Sequence, residues 1–282
     1  MTKKVAVIGI CGISVFMNVE RFPRKGETLI ADGIYEEIGG KGINQAIAAA
    51  RMGARVSFLA ATGDDPNGRE CVNITEKNNI TASFKVKKGR RTPVAFILTD
   101  KKGENCVTEY KSAELCSDDV LGFEEDIASS DILLLQQEVP PEVNETAVRI
   151  AKAHGVRVIL NPAPAREEDS RLADSIFAVT PNETEAKSIS PQKYENCIIT
   201  LGSKGCLING ETEIPSIHVN AVDTTGAGDT FNGVLAVCIA EGMDLKKACS
   251  YAVAASGISV SKRYVLNSIP YRDDVERIIK NE

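Results

Sequence analysis

The sequence predicts an α/β fold: a doubly wound parallel sheet with a small second β-sheet beside it. Three observations carry that expectation. From about residue 131 strand-like and helix-like segments alternate, and alternating units of this kind build a parallel sheet covered on both faces. The first apolar run, "VAVIGI" (5–10), has no polar side, as a central strand buried on both faces requires. Segments 26–38, 84–88, 94–99 and 105–111 are short, alternating and separated by turns such as "TDKKGEN". They read as a half-exposed sheet made from two pieces of chain.

The elements follow in order. A helix near 42–52 is closed by Gly53, and "VSFLAA" is the next strand. "DILLLQQ" is a strand, and "PPEVNETAVRIAKAHG" is a helix with prolines at its start and a glycine stop. "VRVILN", "IFAVTPN" and "CIITLG" are further strands, and "LINGETEI" is a hairpin around Asn209-Gly210. Long helices near 227–241 and 245–262 precede a C-terminal helix. The small sheet is expected from about 11–38 and 84–111, inserted in a single domain over 1–282.

Composition narrows the function. The chain of 282 residues is 43% hydrophobic and 26% charged, enough to bury a sizeable core. No apolar run approaches the roughly 20 residues of a membrane span, and the apolar part of "MTKKVAVIGI" is too short for a secretory signal. A net charge of −6 counts against nucleic acid as the main partner; "KVKKGRR" (85–91) reads as a solvated hairpin. Eight cysteines without a Cys-x-x-Cys pair suit free thiols in a reducing cytosol, so a cytoplasmic location is expected. His154 and His218 are the only histidines, which disfavours a zinc site or a histidine-based triad.

Three groups of loops carry polar chemistry. In "DTTGAGDTF" (223–231), Gly226 and Gly228 let amides point into one concavity, and the following helix adds its unpaired first-turn N–H groups. Such a site holds a phosphate or a developing oxyanion. Asp229 beside it is either a helix cap or a base for an attacking hydroxyl. In "EEIGGKGINQAIAAA", three glycines surround Lys41, with Asn44 one turn on; this is a ligand approach or a plain strand-to-helix turn. It is not a P-loop, because Tyr35 stands where that pattern needs glycine. The third group is "NPAPAR" (161–166), "PNETEA" (181–186) and "TLGSKG" (200–205). All of these loops follow strands, so they are expected to open on one edge of the sheet, where ligands bind in such folds.

In these motifs the chain resembles the ribokinase (PfkB) family of carbohydrate and nucleoside kinases. "GGKGINQA", "TGDD", "NPAPAR", "PNETEA", "LGSKG" and "VDTTGAGDTFNG" occur in that family's order across nearly the whole chain. The resemblance implies a ribokinase-like fold whose small sheet is a lid, and ATP-dependent phosphorylation of the primary hydroxyl of a small sugar. It implies Asp229 as general base and Gly226, Ala227 and Gly228 as the anion hole. Asn182 and Glu185 would organise Mg-ATP, Glu185 acting on Mg²⁺ through water. Thr200, Gly202, Ser203 and Gly205 would line the nucleotide site with the region around Val253. Gly40, Lys41, Gly42, Asn44 and Glu138 would contact the sugar. A homodimer through the lid is also expected, because "TPVAFILTD" has too little sequence around it to bury both faces.

The chain departs from that family in four places. Gly12 and Ser14 stand where ribokinases carry Asn and Asp, so the substrate is expected to fill the space opened there and ribose to be used poorly. "YKSAELCSDD" replaces a Gly-Ala-Asn. Only "KSISPQKYEN" follows "PNETEA", so a helix is expected to be missing there or cut to a turn. Tyr264 replaces a glycine beside the monovalent-cation loop at Asp223 and Thr225. Because tyrosine resists glycine's positive φ, potassium is expected to activate weakly or not at all. The rival readings are a kinase for another sugar, a ketose or a nucleoside, and a catalytically silent sugar-binding or regulatory protein.

Overall fold

The computed structural model describes residues 2–281. Strand β1 is Lys4–Ile8, followed by β2 (Gly12–Asn18), β3 (Gly33–Gly39), α1 (Lys41–Arg51), β4 (Arg55–Gly63), α2 (Pro66–Lys77) and β5 (Thr81–Lys87). Then come β6 (Val94–Thr99), β7 (Asn105–Tyr110), the short helices α3 (Ser117–Leu121) and α4 (Glu124–Ala128), β8 (Ile132–Gln136), α5 (Pro141–Ala153) and β9 (Arg157–Asn161). The last elements are β10 (Ala178–Val179), β11 (Ile198–Thr200), β12 (Cys206–Ile208), β13 (Thr212–Ile214), α6 (Ala227–Ala240), α7 (Leu245–Ser259) and α8 (Arg272–Asn281).

The main sheet runs β10-β9-β8-β1-β4-β5, with every pair parallel. The chain winds outward from β1 to β4 and β5, then returns to the other side of β1 for β8, β9 and β10. The doubly wound expectation therefore holds, and the switch point lies beyond the ends of β1 and β8. Strand alternation divides the core. Val5, Val7, Phe58, Ile132 and Leu134 pack on the side of α1, α6 and α7. Ala6, Ile8, Leu59, Leu133 and Leu135 pack on the side of α3, α4 and α5. Helices α1 and α6 approach closely: a Cβ on Gly233 would stand 2.5 Å from Ala48 Cβ.

The small sheet is β3-β2-β6-β7. Its make-up differs from the expectation at one strand. Residues 84–88 fall within or beside β5, which pairs in parallel with β4 from Ser57↔Thr81 to Gly63↔Lys87 on the edge of the main sheet. An edge strand of the large sheet and a strand of the small sheet are equally half-exposed, so alternation does not separate them. Strand β2 fills the small sheet instead. Strand β11 likewise leaves the main sheet and opens an antiparallel sheet with β12 and β13. The hairpin between the last two turns at Asn209 (φ 52) and Gly210 (φ 73), as Asn-Gly requires. Helix α2 was absent from the expected elements, although its signal is local: Asp65 caps it, accepting from Gly68 N at 2.9 Å, with Pro66 at its first position. After "PNETEA" only short 3₁₀ turns at Glu185–Lys187 and Pro191–Lys193 remain, as expected.

All eight cysteines are free. Among the described residues no helix is long and apolar enough to cross a membrane.

Candidate active site

The polar residues gather at the carboxyl ends of β1, β8 and β9. Asp229 lies in the first turn of α6, 6% exposed. It is not a cap: the N-cap position is Gly226 (φ 75), and no side chain caps the helix. Instead α1 holds both carboxylate oxygens. Asn44 Nδ2 donates to Oδ2 at 2.9 Å, and Gln45 Nε2 donates to Oδ1 at 3.1 Å. Gln45 is itself fixed, donating to Asn161 Oδ1 at 3.1 Å and accepting from Gln136 Nε2 at 2.7 Å. A buried carboxylate needs such donors to stay satisfied. Gln45 lies inside the quoted "GGKGINQA". The sequence alone left it unassigned, because its partners are 184 and 116 residues away.

Lys41 and Glu138 form the next group. Lys41 N donates to Glu138 Oε2 at 2.8 Å. Burial pushes the Glu138 carboxyl up to about 7. The charge of Asp229 holds Lys41 above the ordinary lysine value. Gly42, at the start of α1, lies so close to β1 that a Cβ on it would meet Gly9 Cα at 2.7 Å. Gly12, Ser14, Gly40 and Glu138 line one small cavity of about 30 Å³ under the small sheet.

A second cavity, of about 510 Å³, has the N-terminus of α6 in its wall. Asn182, Thr200, Gly202, Ser203, Gly205 and Val253 all line it, together with Ala227 and Gly228. Its apolar wall adds residues that the sequence did not single out, Ile217, Phe231 and Val260. Isolated apolar positions carry no local mark of a ligand. Asn182 Oδ1 accepts from Thr184 N (2.9 Å) and Glu185 N (2.8 Å), and Glu185 Oε2 accepts from Asn182 N (2.8 Å). The two side chains therefore cap each other at the rim of this cavity, and burial raises the Glu185 carboxyl. Among the described residues no trio of His, Cys, Asp or Glu side chains is placed to cage a metal.

The premises of two expectations meet the geometry differently. Position 12 has no room for a side chain in this backbone. A Cβ on Gly12 would stand 2.2 Å from the Pro93 carbonyl oxygen, and the Ser14 hydroxyl fills the place a Cβ on Gly39 would take. The chain entering β6 therefore blocks a side chain at position 12, while Gly12 and Ser14 still border the small cavity. Tyr264 does adopt the left-handed conformation, φ 65. Its ring stacks on Tyr35 at 3.7 Å and meets Phe16 edge-on at 5.7 Å, while its N–H donates to Asp223 Oδ2 at 3.0 Å. Those contacts offset the strain of a non-glycine residue at positive φ. Asp223 Oδ1 accepts from Thr225 N at 2.9 Å, so the loop is closed on itself.

The family comparison bears on the whole constellation. The model of the pfkB family carbohydrate kinases matches residues 2–272. The chain belongs to the pfkB family of carbohydrate kinases. Within that family it is similar to the ribokinase of Haemophilus influenzae, 35% identical over 100% of both chains. Among solved structures, ribokinase from Thermotoga maritima superimposes with a TM-score of 0.88 at 32% identity, covering 100% of each chain. A ribokinase from Arabidopsis thaliana, determined in complex with ribose and ATP, gives 0.87 at 27% identity over 99% of each. The pfkB chain is thus a ribokinase-like carbohydrate kinase in sequence and in fold.

Proposed function

We propose that the protein transfers the γ-phosphoryl group of ATP to the primary hydroxyl of a small sugar. One observation carries the reading: the buried Asp229 adjoins the wall of the larger cavity and is bonded to α1 beside the pair at the smaller one. Its neighbours Ala227 and Gly228 line the larger one. Its partner Asn44 adjoins the Lys41–Glu138 pair at the smaller one. Asn44 Oδ1 is buried without a hydrogen-bond partner, an acceptor that a sugar hydroxyl would satisfy.

In this reading ATP lies in the 510 Å³ cavity with its γ-phosphate at the N-terminus of α6. Asp229 takes the proton of the attacking hydroxyl, and the amides of Gly226, Ala227 and Gly228 hold the charge of the transferring group. Lys41 adds a half-buried positive charge. Mg²⁺, when bound, would offset the negative charge of the phosphates. The residues suit a hydrated ion, which keeps most of its water and needs one or two carboxylates besides the phosphates; Glu185 supplies one. The small sheet acts as a lid that keeps water from the phosphoryl group.

ATP consumption against a panel of sugars and nucleosides tests the reading. Turnover with neutral sugars is the expected result, and binding without turnover would favour the silent binding protein. Ribose is the first substrate to try, since the chain is 35% identical to a ribokinase over its full length. The conformational objection to potassium falls, because Tyr264 holds the left-handed form.

A pH dependence follows from Glu138. Its raised carboxyl keeps the neutral form in the free protein. The stability this contributes is full below the ordinary carboxylate range and is lost as pH rises through about 7. A sugar hydroxyl donating to the ionised form reverses the preference. Sugar KM is therefore expected to fall as pH rises from about 6 to 8, while ATP KM stays flat, and Glu138→Gln should abolish that trend.

The lid is also proposed as a dimer surface. On its outer face Ile34 (65% exposed) lies opposite Met17, and Phe96 (46% exposed) lies opposite Val15. Exposed apolar side chains grouped on one sheet face suit a second copy of this chain. Light scattering is expected to give twice the chain mass, and Phe96→Glu with Ile34→Glu should return a monomer. A wild-type monomer at high concentration removes the proposal.

A further inference from the structure

The sugar site has a wall to which no role has yet been given. Across β3, β2, β6 and β7 one row of the small sheet reads Glu37, Ser14, Ala95, Glu109, in register. Side chains directly opposite one another in a sheet share a face. Glu37 is occupied, accepting from Val265 N at 2.8 Å and Leu266 N at 3.2 Å. Ser14 and Ala95 are short. Glu109 is then the carboxylate of that row left for a ligand, and it lines the same small cavity as Gly12, Ser14 and Glu138.

Lys111, two residues on, fixes its direction. Lys111 Nζ lies 3.0 Å from Glu109 Oε2 and donates to the Glu138 carbonyl at 3.1 Å. One ammonium therefore ties the edge of the lid to the residue that faces the sugar from the main sheet. The Glu109 charge also reaches the site, contributing to the upward shifts of both Lys41 and Glu138.

We propose that Glu109, oriented by Lys111, is a substrate-binding and specificity-determining residue. Its carboxylate accepts hydroxyl hydrogens of a neutral polyhydroxy substrate and supplies the acceptor that position 14 lacks. The inference rests on the reading that this chain phosphorylates a small sugar. It also sets the charge class of the substrate. Glu109, Glu138 and Asp229 face Lys41 and Lys111 there, so a sugar carrying a carboxylate or phosphate gains no net attraction. The competing account is a solvated ion pair on an edge strand, since Glu109 is 39% exposed at its side chain, and such pairs contribute little.

Steady-state kinetics on the full chain separates these accounts. ATP is held saturating while ribose, other neutral sugars and their carboxylate analogues are varied. Glu109→Gln keeps the side-chain shape on an exposed strand, and Glu109→Ala removes it. Sugar KM is expected to rise about 10-fold in the first variant and more in the second, the loss of a charge-assisted hydrogen bond. ATP KM and kcat should stay within about threefold, and the preference for the neutral sugar over its carboxylate analogue should shrink in both variants. A wild type that turns over a sugar, with variants whose sugar KM and preference are unmoved, overturns this inference alone. Loss of kcat with an unmoved sugar KM overturns it too, by assigning Glu109 a structural role. A wild type that phosphorylates no sugar removes the functional reading, and this inference with it.

Discussion

Asp229→Asn is expected to lower kcat by about 10²–10⁴-fold, the range for a positioned general base. ATP and sugar KM should stay within about threefold, because uniform binding is left in place. The substitution keeps the shape of a side chain that is 6% exposed and enclosed by α1. It removes the ability to take a proton together with the negative charge beside Lys41. The new amide can point its N–H₂ group at Asn44, whose partnerless oxygen can turn to accept it, while Gln45 stays fixed by Asn161 and Gln136. A modest loss of stability is therefore expected beside the large loss of rate. Single-turnover measurements with saturating ATP and sugar read the chemical step directly. Wild-type kcat in the variant would reduce Asp229 to a tie between α1 and α6 and would remove the mechanism.

Gly226→Ala is expected to have the next largest effect, a fall in kcat of about 10²–10³-fold, comparable to losing an oxyanion-hole donor. Gly226 sits at φ 75, and an added Cβ would stand 2.4 Å from Val265 Cγ1. The left-handed conformation alone costs an L-residue about 1–2 kcal/mol, and overpacking adds about 1–3 kcal/mol. The backbone would relieve both by rotating, which turns the amides of residues 226–228 away from the phosphate. Equal rates for wild type and Gly226→Ala would show that these amides do not hold the transferring charge.

The gathering of the larger cavity's polar residues was legible before the structure. Asn182, Thr200, Gly202, Ser203, Gly205 and Val253 come from separate segments and line one cavity. Their loops were readable because each follows a strand in a repeating βα pattern, and such a pattern sends those loops to one edge. The smaller cavity was legible in its residue types but not in the strand packing that shapes it. That Pro93 blocks position 12 depends on β2 and β6 lying side by side, with Ile13 opposite Val94. No local signal announces that pairing.

By itself the sequence determined the parallel α/β core, the hairpin at Asn209-Gly210, the truncated segment after "PNETEA" and the glycine-rich start of α6. Each of these follows from hydrophobic period or backbone dihedral preference, which act over a few residues. Tertiary structure alone decided that 81–87 joins the main sheet, that Tyr264 takes a positive φ, and that Gln45 rather than a cap geometry holds Asp229. These outcomes turn on partners far apart in the chain: Ser57 with Thr81, Tyr264 with Tyr35, Gln45 with Asp229. A half-exposed strand, a strained residue and a buried carboxylate are each compatible with several partners until packing selects one, because their local preferences are nearly balanced and the long-range contact supplies the difference.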